Sequence, residues 1–220
     1  MKIIFIRHGE PDYENDTLTE KGFVQAELVA KRLMEEGISE IYASPLGRAQ
    51  DTARPLSKAL GLPVKTLEFM RELTWGSIDG EDIFSDGHPW DISDEMAKQG
   101  MDLGSPDWKT NQFYKNNRAV ESVRVVEEGL DQWLAGFGYK RSGLYYEHEC
   151  REDQHKIVAV FSHGGSSTAA MAHMLNLQFP YAIALLHIDF TGITVLRLDK
   201  KEGPGVLPCM KLANDIKHLK

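Results

Sequence analysis

The chain has 220 residues, 42% of them hydrophobic and 26% charged, a balance that excludes a disordered or fibrous protein. Its 33 acidic against 25 basic residues leave a formal charge of −8, which argues against a nucleic-acid partner while leaving room for a small positive pocket. Cys150 and Cys209 are too few for a disulfide framework, and no stretch nears the roughly 18 apolar residues that span a bilayer. The apolar run after Met1 is too short for a signal peptide, so the expectation is a cytoplasmic protein with no membrane partner.

Ile3–Ile6 is a continuous apolar run of strand length, expected to be buried on both faces of a parallel sheet. After the polar turn Pro11–Asp16, Phe23, Ala26, Ala30, Leu33 and Met34 recur at helical spacing. Thr17 and Glu20 are spaced as a capping box for that helix, and Gly37 marks its stop. Ile41–Ala43 reads as a second strand. Ser44 and Pro45 then supply an N-cap and a first-turn proline for a helix that kinks at Pro55 and ends at Gly61. Val64–Met70 reads as a third strand.

From Trp75 to about Arg118 periodicity disappears, yet Trp75, Trp90, Trp108, Phe84, Phe113 and Tyr114 all lie there. Such a segment, about 76–118, reads as a lid or substrate-binding wall and not as a linker. Most of its aromatics are expected to pack, with a hydrophobic wall over the substrate as their functional version. Helical spacing returns over Val120–Leu134, and Lys140–Gln154 is a polar stretch. Ile157–Phe161 is a strand, Gly164 opens a small-residue helix through Leu175, and His187–Phe190 and Ile193–Leu198 read as two further strands. The alternation implies one α/β domain over 1–220, with a mostly parallel sheet and helices on both faces.

Arg7-His8-Gly9-Glu10 follows the first strand directly, and Ser162-His163-Gly164-Gly165 follows the late one. Sites in open α/β sheets gather beyond the carboxyl ends of strands. One histidine there is most often structural, but two, each followed by glycine and one preceded by arginine, point to chemistry. An imidazole is a nucleophile when one nitrogen is unprotonated and aimed while the other is held by an acceptor. A backbone carbonyl at Nδ1 of His8 would leave its Nε2 free. A phosphoryl group in transfer needs its oxygen charge offset, a task for arginine's planar fork. Arg7 is adjacent, and Arg48 falls in the first turn of the helix after the second strand, where the helix dipole also favours an anion.

At this point the sequence resembles the histidine phosphatase superfamily, also called the phosphoglycerate-mutase-like family. The resemblance rests on Arg7-His8-Gly9-Glu10, Leu18-Thr19-Glu20-Lys21-Gly22 with Gln25-Ala26, and Ser44-Pro45-Leu46 with Arg48-Ala49 and Thr52-Ala53. Arg71-Glu72-Leu73 with Gly76 and Gly80, Glu121-Ser122, Ser162-His163-Gly164-Gly165 and the closing Ala213-Asn214-Asp215 with His218-Leu219 complete it. It runs from one end to the other and is weakest over Asp82–Arg118 and Tyr139–Gln154. It implies a three-layer sandwich and a two-step transfer in which His8 becomes a phosphohistidine. Arg7, Arg48, His163 and the Gly164 N–H surround the phosphoryl oxygens, and Glu72 protonates the departing alkoxide and later activates water. A carboxyl set in a semi-apolar wall, here beside Trp75, has its pKa raised toward that task. Glu10 is expected to stand behind the site, since a carboxylate touching the phosphate would repel it.

Two departures from the family's pattern favour a phosphatase over a mutase. The position six residues after the nucleophile, asparagine in the mutases and in several phosphatases of the family, is Glu14 here, and Asp12, Glu14 and Asp16 are hostile to a substrate with an extra carboxylate. The mutases' paired arginines for that carboxylate are not recognisable, although Lys109, Lys115 and Arg118 remain candidates. The expected activity is hydrolysis of a small-molecule phosphate monoester with no metal or other cofactor. A mutase-type phosphotransferase and a non-catalytic phosphoanion binder are the alternatives. His148, Glu149, Cys150, Glu152, Asp153 and His155 are metal-ligand types without a zinc-site spacing, and no Gly-x-Ser-x-Gly or phosphate-loop motif exists.

Overall fold

The computed structural model describes residues 1–148, 156–199 and 205–220. In chain order it contains β1 (Lys2–Arg7), β2 (Pro11–Asp12), β3 (Thr17–Leu18), α1 (Glu20–Leu33), β4 (Glu40–Ala43) and α2 (Gly47–Leu60). Next come β5 (Val64–Thr66), α3 (Pro89–Lys98), α4 (Ala119–Ala135), β6 (Tyr139–Ser142) and β7 (Tyr145–His148). β8 (Ile157–Ser162), α5 (Gly164–Leu175), α6 (Phe179–Leu185), β9 (Ile193–Arg197) and β10 (Cys209–Asp215) follow. Six strands form one sheet in the order β10-β9-β1-β8-β4-β5. β1, β8, β4 and β5 pair parallel, while β9 pairs antiparallel with β1 and β10 antiparallel with β9. The sheet is thus mostly parallel, as its unbroken apolar runs imply.

Strand alternation divides the core into two layers. Ile3 and Phe5 of β1 and Val158 and Val160 of β8 join α3, α4, α5 and α6 on one face. Ile4, Ile6, Ala159 and Phe161 face Val29 and Leu33 of α1 and Leu56 of α2 on the other. Each of these side chains larger than alanine, fully buried, contributes about 1.5–3 kcal/mol. Among the described residues no helix is long and apolar enough to cross a membrane.

Several elements differ from the sequence expectation, each for a local reason. The N-cap of α1 is Thr19, whose Oγ1 accepts from Gly22 N at 3.0 Å. Thr17 instead pairs with Asp12 in the short β2–β3 ribbon. α2 has Leu46 in the N-cap position without a side-chain cap, because Asp16 reaches in from the β2–β3 turn and accepts from Gly47 N at 2.8 Å. α2 runs on through Pro55 to a left-handed Gly61. β5 stops at Thr66, paired with the last residue of β4, and a 3-10 turn (Glu68–Met70) replaces the rest of the expected strand.

The stretch without periodicity holds α3, whose buried stripe is only Ile92, Ser93 and Met96 behind a first-turn proline. The polar stretch after α4 begins as the hairpin β6–β7, held to the core by the fully buried Tyr139 and Tyr146. Residues 149–155, with the rejected metal-ligand types after His148, lie outside the described residues. His187–Phe190 is not a strand: it follows the unforeseen α6, and the Ile188 carbonyl accepts from Arg7 Nη1 at 2.6 Å instead of from a ladder.

The loop after β1 and the first turn of α1 meet backbone to backbone. A Cβ on Gly22 would stand 2.2 Å from the Glu10 carbonyl oxygen, and one on Gly9 would stand 2.7 Å from that of Gly22. Neither contact relaxes by turning a side chain. Gly22→Ala is therefore expected to lower unfolding stability by about 1–3 kcal/mol in denaturant titration, although alanine is the better helix former by about 1 kcal/mol. A stabilised variant would contradict the close approach.

Candidate active site

β1 and β8 are paired in register to their final residues, Arg7 opposite Ser162, and β4 ends beside them with Ala43 opposite Phe161. The next residues of β1 and β8, His8 and His163, therefore leave the sheet at one level, with Ser44 after β4 one residue short of them. His8 N bonds the Ser162 carbonyl at 2.9 Å, and the two imidazole rings lie 5.1 Å apart at 59°. Two residues distant in sequence become neighbours through strand pairing alone.

The His8 Nδ1 lies 2.7 Å from the Gly9 carbonyl oxygen. A carbonyl only accepts, so Nδ1 carries the proton and Nε2 keeps its lone pair. Burial pushes the His8 pKa down to about 3, with Arg7 and Arg48 adding to that effect and the Gly9 carbonyl opposing it. His163, fully buried, is pushed well below its ordinary value by the same loss of water and then by His8 and the two arginines. Its Nε2 is 2.7 Å from Ser44 Oγ, whereas its Nδ1 is buried without a partner. Ser44, expected to cap a helix, holds this ring while its Oγ also accepts from Leu46 N at 3.3 Å, just before α2.

The arginines flank the pair. Arg7 lies with its guanidinium carbon 4.3 Å from the centre of the Phe190 ring. Arg48 Nη1 donates to Asp16 Oδ1 at 2.6 Å, so the carboxylate that caps α2 also orients this arginine. The anion expected to profit from the start of α2 is thus in part supplied by the chain itself. Nε of both arginines is buried with no partner. Burial lowers the Arg7 pKa, against the raising influence of Tyr13, Glu72 and Asp189.

Glu72 sits at the start of α5. Its Oε1 accepts from Leu73 N at 2.9 Å and Ser166 N at 3.0 Å, and its Oε2 from Gly165 N at 3.4 Å. Glycine at 165 leaves the carboxylate its place, since a Cβ there would come within 2.7 Å of Glu72 Oε1 and displace it. Burial raises the Glu72 pKa above the usual carboxylate value, although these three N–H groups and Arg7 pull it down.

Arg7, Arg48, Glu72 and Gly164 line one cavity of about 490 Å³, with Trp75 on the same wall. His8 and His163, 2% and 0% exposed, do not line it but lie beside its arginines. All six expected residues thus meet. Glu10 does not line the cavity, and its carboxylate accepts from Lys21 Nζ at 2.6 Å and from Thr19 Oγ1 at 3.1 Å. Lys109, Lys115 and Arg118 do not line the cavity. Sequence reasoning missed Tyr13, Thr168 and Ile188, which do. The signal for Tyr13 was a large ring in a polar turn just after the Arg-His-Gly motif, and it is 68% exposed. Among the described residues no three His, Cys, Asp or Glu side chains gather so as to hold a metal ion.

Known proteins share this fold. The phosphoserine phosphatase of Entamoeba histolytica, a single-site variant solved with phosphoserine, matches over 100% of this chain and 99% of its own at TM-score 0.64 and 24% identity. A mycobacterial glucosyl-3-phosphoglycerate phosphatase solved with inorganic phosphate matches over 100% and 99% at TM-score 0.68 and 21% identity. The probable phosphoglycerate mutase GpmB of Yersinia pestis is 36% identical over 150 residues, which cover 63% of this chain and 70% of that protein. The sequence profile of the histidine phosphatase superfamily (branch 1) matches residues 3–207, nearly the whole chain, and the chain belongs to that superfamily.

Proposed function

We propose that the chain is a phosphomonoesterase that works through a phosphohistidine at His8. The observation that carries this reading is the His8 ring itself: Nδ1 is tied to the Gly9 carbonyl, which leaves Nε2 unprotonated beside Arg7 and Arg48. The unpartnered Nε of both arginines and Nδ1 of His163 are buried polar atoms that phosphoryl oxygens would satisfy. Each of the two solved relatives above carries the name of a phosphatase.

In the first step the ester P–O bond breaks as a bond forms from phosphorus to His8 Nε2, and Glu72 passes its proton to the departing oxygen. In the second, water attacks phosphorus, the P–N bond breaks, and the Glu72 carboxylate takes the water proton. His8 returns to its starting form and inorganic phosphate leaves. Arg7, Arg48, His163 and the Gly164 N–H offset the oxygen charge throughout. Glu72 is already raised by burial, and a phosphate dianion arriving beside it moves it further toward the protonated acid.

The name of the Yersinia pestis relative favours a second reading, transfer between the hydroxyls of a phosphoglycerate. Against it, Lys109 is tied to Glu127 at 3.3 Å, and neither Lys115 nor Arg118 reaches the cavity to hold a second carboxylate. A phosphate-release screen over metabolites, run beside an isomerisation assay on phosphoglycerate, separates the two.

His8→Ala is expected to lower phosphate release from any monoester by at least about 1,000-fold with the fold intact by circular dichroism. Retention of a tenth of the rate would remove His8 from the nucleophile's role. For Glu72→Gln, kcat/KM for ethyl phosphate is expected to fall by about 100-fold or more, against less than about tenfold for 4-nitrophenyl phosphate, whose leaving group needs no proton. Because kcat/KM reports events only through phosphorylation, equal losses would assign Glu72 another task.

A further inference from the structure

Resting on the phosphomonoesterase reading, we infer that the favoured substrate carries an uncharged, planar aromatic group on its alcohol side and no second anion. An aromatic wall begins at the phosphoryl cradle itself. A Cβ built on Gly164 would lie 3.6 Å from Cζ2 of Trp90 and 3.8 Å from Cζ of Arg7. The Trp90 indole therefore stands over the start of α5, next to the guanidinium assigned to phosphoryl oxygen.

From there the surface continues through rings that hold one another in place. Trp90 and His88 are 5.1 Å apart and 31° from parallel, and His88 meets Trp75 edge-on at 5.3 Å and 74°. Trp75 and Trp90 close the triangle at 6.3 Å and 81°. Leu186 and Ile188 line the same cavity. Trp90 is half-buried, with one side packed against the core. Trp108 and Tyr114 of the same segment are 2% and 0% exposed, whereas Trp75 keeps 36% of its surface open. A preset wall that joins an open indole to a core-anchored one suits a flat apolar group, which it can cover without first ordering itself.

Charge points the same way. Arg7 and Arg48 are the arginines that line the cavity, no lysine of the described residues joins them, and Arg48 already carries Asp16. The two histidines on the rim face carboxylates of their own, His88 with Asp91 at 3.1 Å and His187 with Asp189 at 3.3 Å. A substrate carboxylate would find no arginine or lysine in the cavity beyond the two arginines assigned to the phosphoryl group. An aromatic ring would exchange water for apolar surface, worth about tenfold or more in kcat/KM at typical transfer values.

The test compares benzyl phosphate, ethyl phosphate and phosphoserine, all esters of primary alcohols, so that leaving-group chemistry differs little while the side group changes. Wild-type kcat/KM for benzyl phosphate is expected to exceed both others by at least about tenfold, mainly through KM. Trp75→Ala, and separately Trp90→Phe, should shrink the benzyl-to-ethyl ratio several-fold. Equal values for benzyl and ethyl phosphate, a preference for phosphoserine, or ratios unmoved by both variants would overturn the inference while leaving the phosphatase reading in place. Failure to hydrolyse any of the three would instead remove the phosphatase reading on which it rests.

Discussion

Parallel pairing of β1 with β8, in register to the last residue of each, is the constraint from which the site follows. Arg7 opposite Ser162 puts His8 and His163 at the same height, and β4 brings Ser44 alongside. A slip of one residue would turn His8 toward the opposite face of the sheet. That slip is resisted on both faces, because Ile3 and Phe5 are committed to one core layer and Ile4 and Ile6 to the other. The apolar run that forms the strand thereby also sets the distance between the two rings.

Charge in the site is arranged around helix starts. Asp16 takes the first N–H of α2 and Glu72 takes two N–H groups in the first turn of α5, so both carboxylates are held by helix dipoles before they meet an arginine. Asp16 faces Arg48 directly, while Glu72 is near enough to Arg7 to feel it electrostatically. The two imidazoles stay neutral because burial and the neighbouring guanidiniums both oppose their protonation. In the proposed reaction the cations would hold the phosphoryl oxygens, a neutral nitrogen would face phosphorus, and a carboxyl raised by burial would stand by the leaving group.

What the sequence made legible was the part written in continuous apolar runs and in residues at their ends. β1, β4, β8 and α4 could be read because burial on both faces, or a clean helical stripe, leaves a pattern in a single stretch of chain. Arg7, His8, Arg48, Glu72, His163 and Gly164 could be named because motifs mark them. α3 was lost because Ser93 dilutes its stripe, and β6–β7 because two buried tyrosines hold an otherwise polar hairpin. The strand wrongly expected at His187–Phe190 contains the right residue types, but its carbonyl serves Arg7. Asp16 and Ser44 were beyond reach for a different reason: their partners, Gly47, Arg48 and His163, come from other segments of the chain. Contacts of that kind have no local signature.

The proposed reaction consists of two successive in-line displacements, one by His8 Nε2 and one by water. Hydrolysis of a phosphorothioate monoester made chiral at phosphorus with oxygen isotopes counts those displacements directly, whether or not an intermediate accumulates. Two displacements return the product with configuration retained, which is the predicted result. Inversion would mean that water attacks phosphorus in a single step, and His8 would then have no covalent part in the reaction.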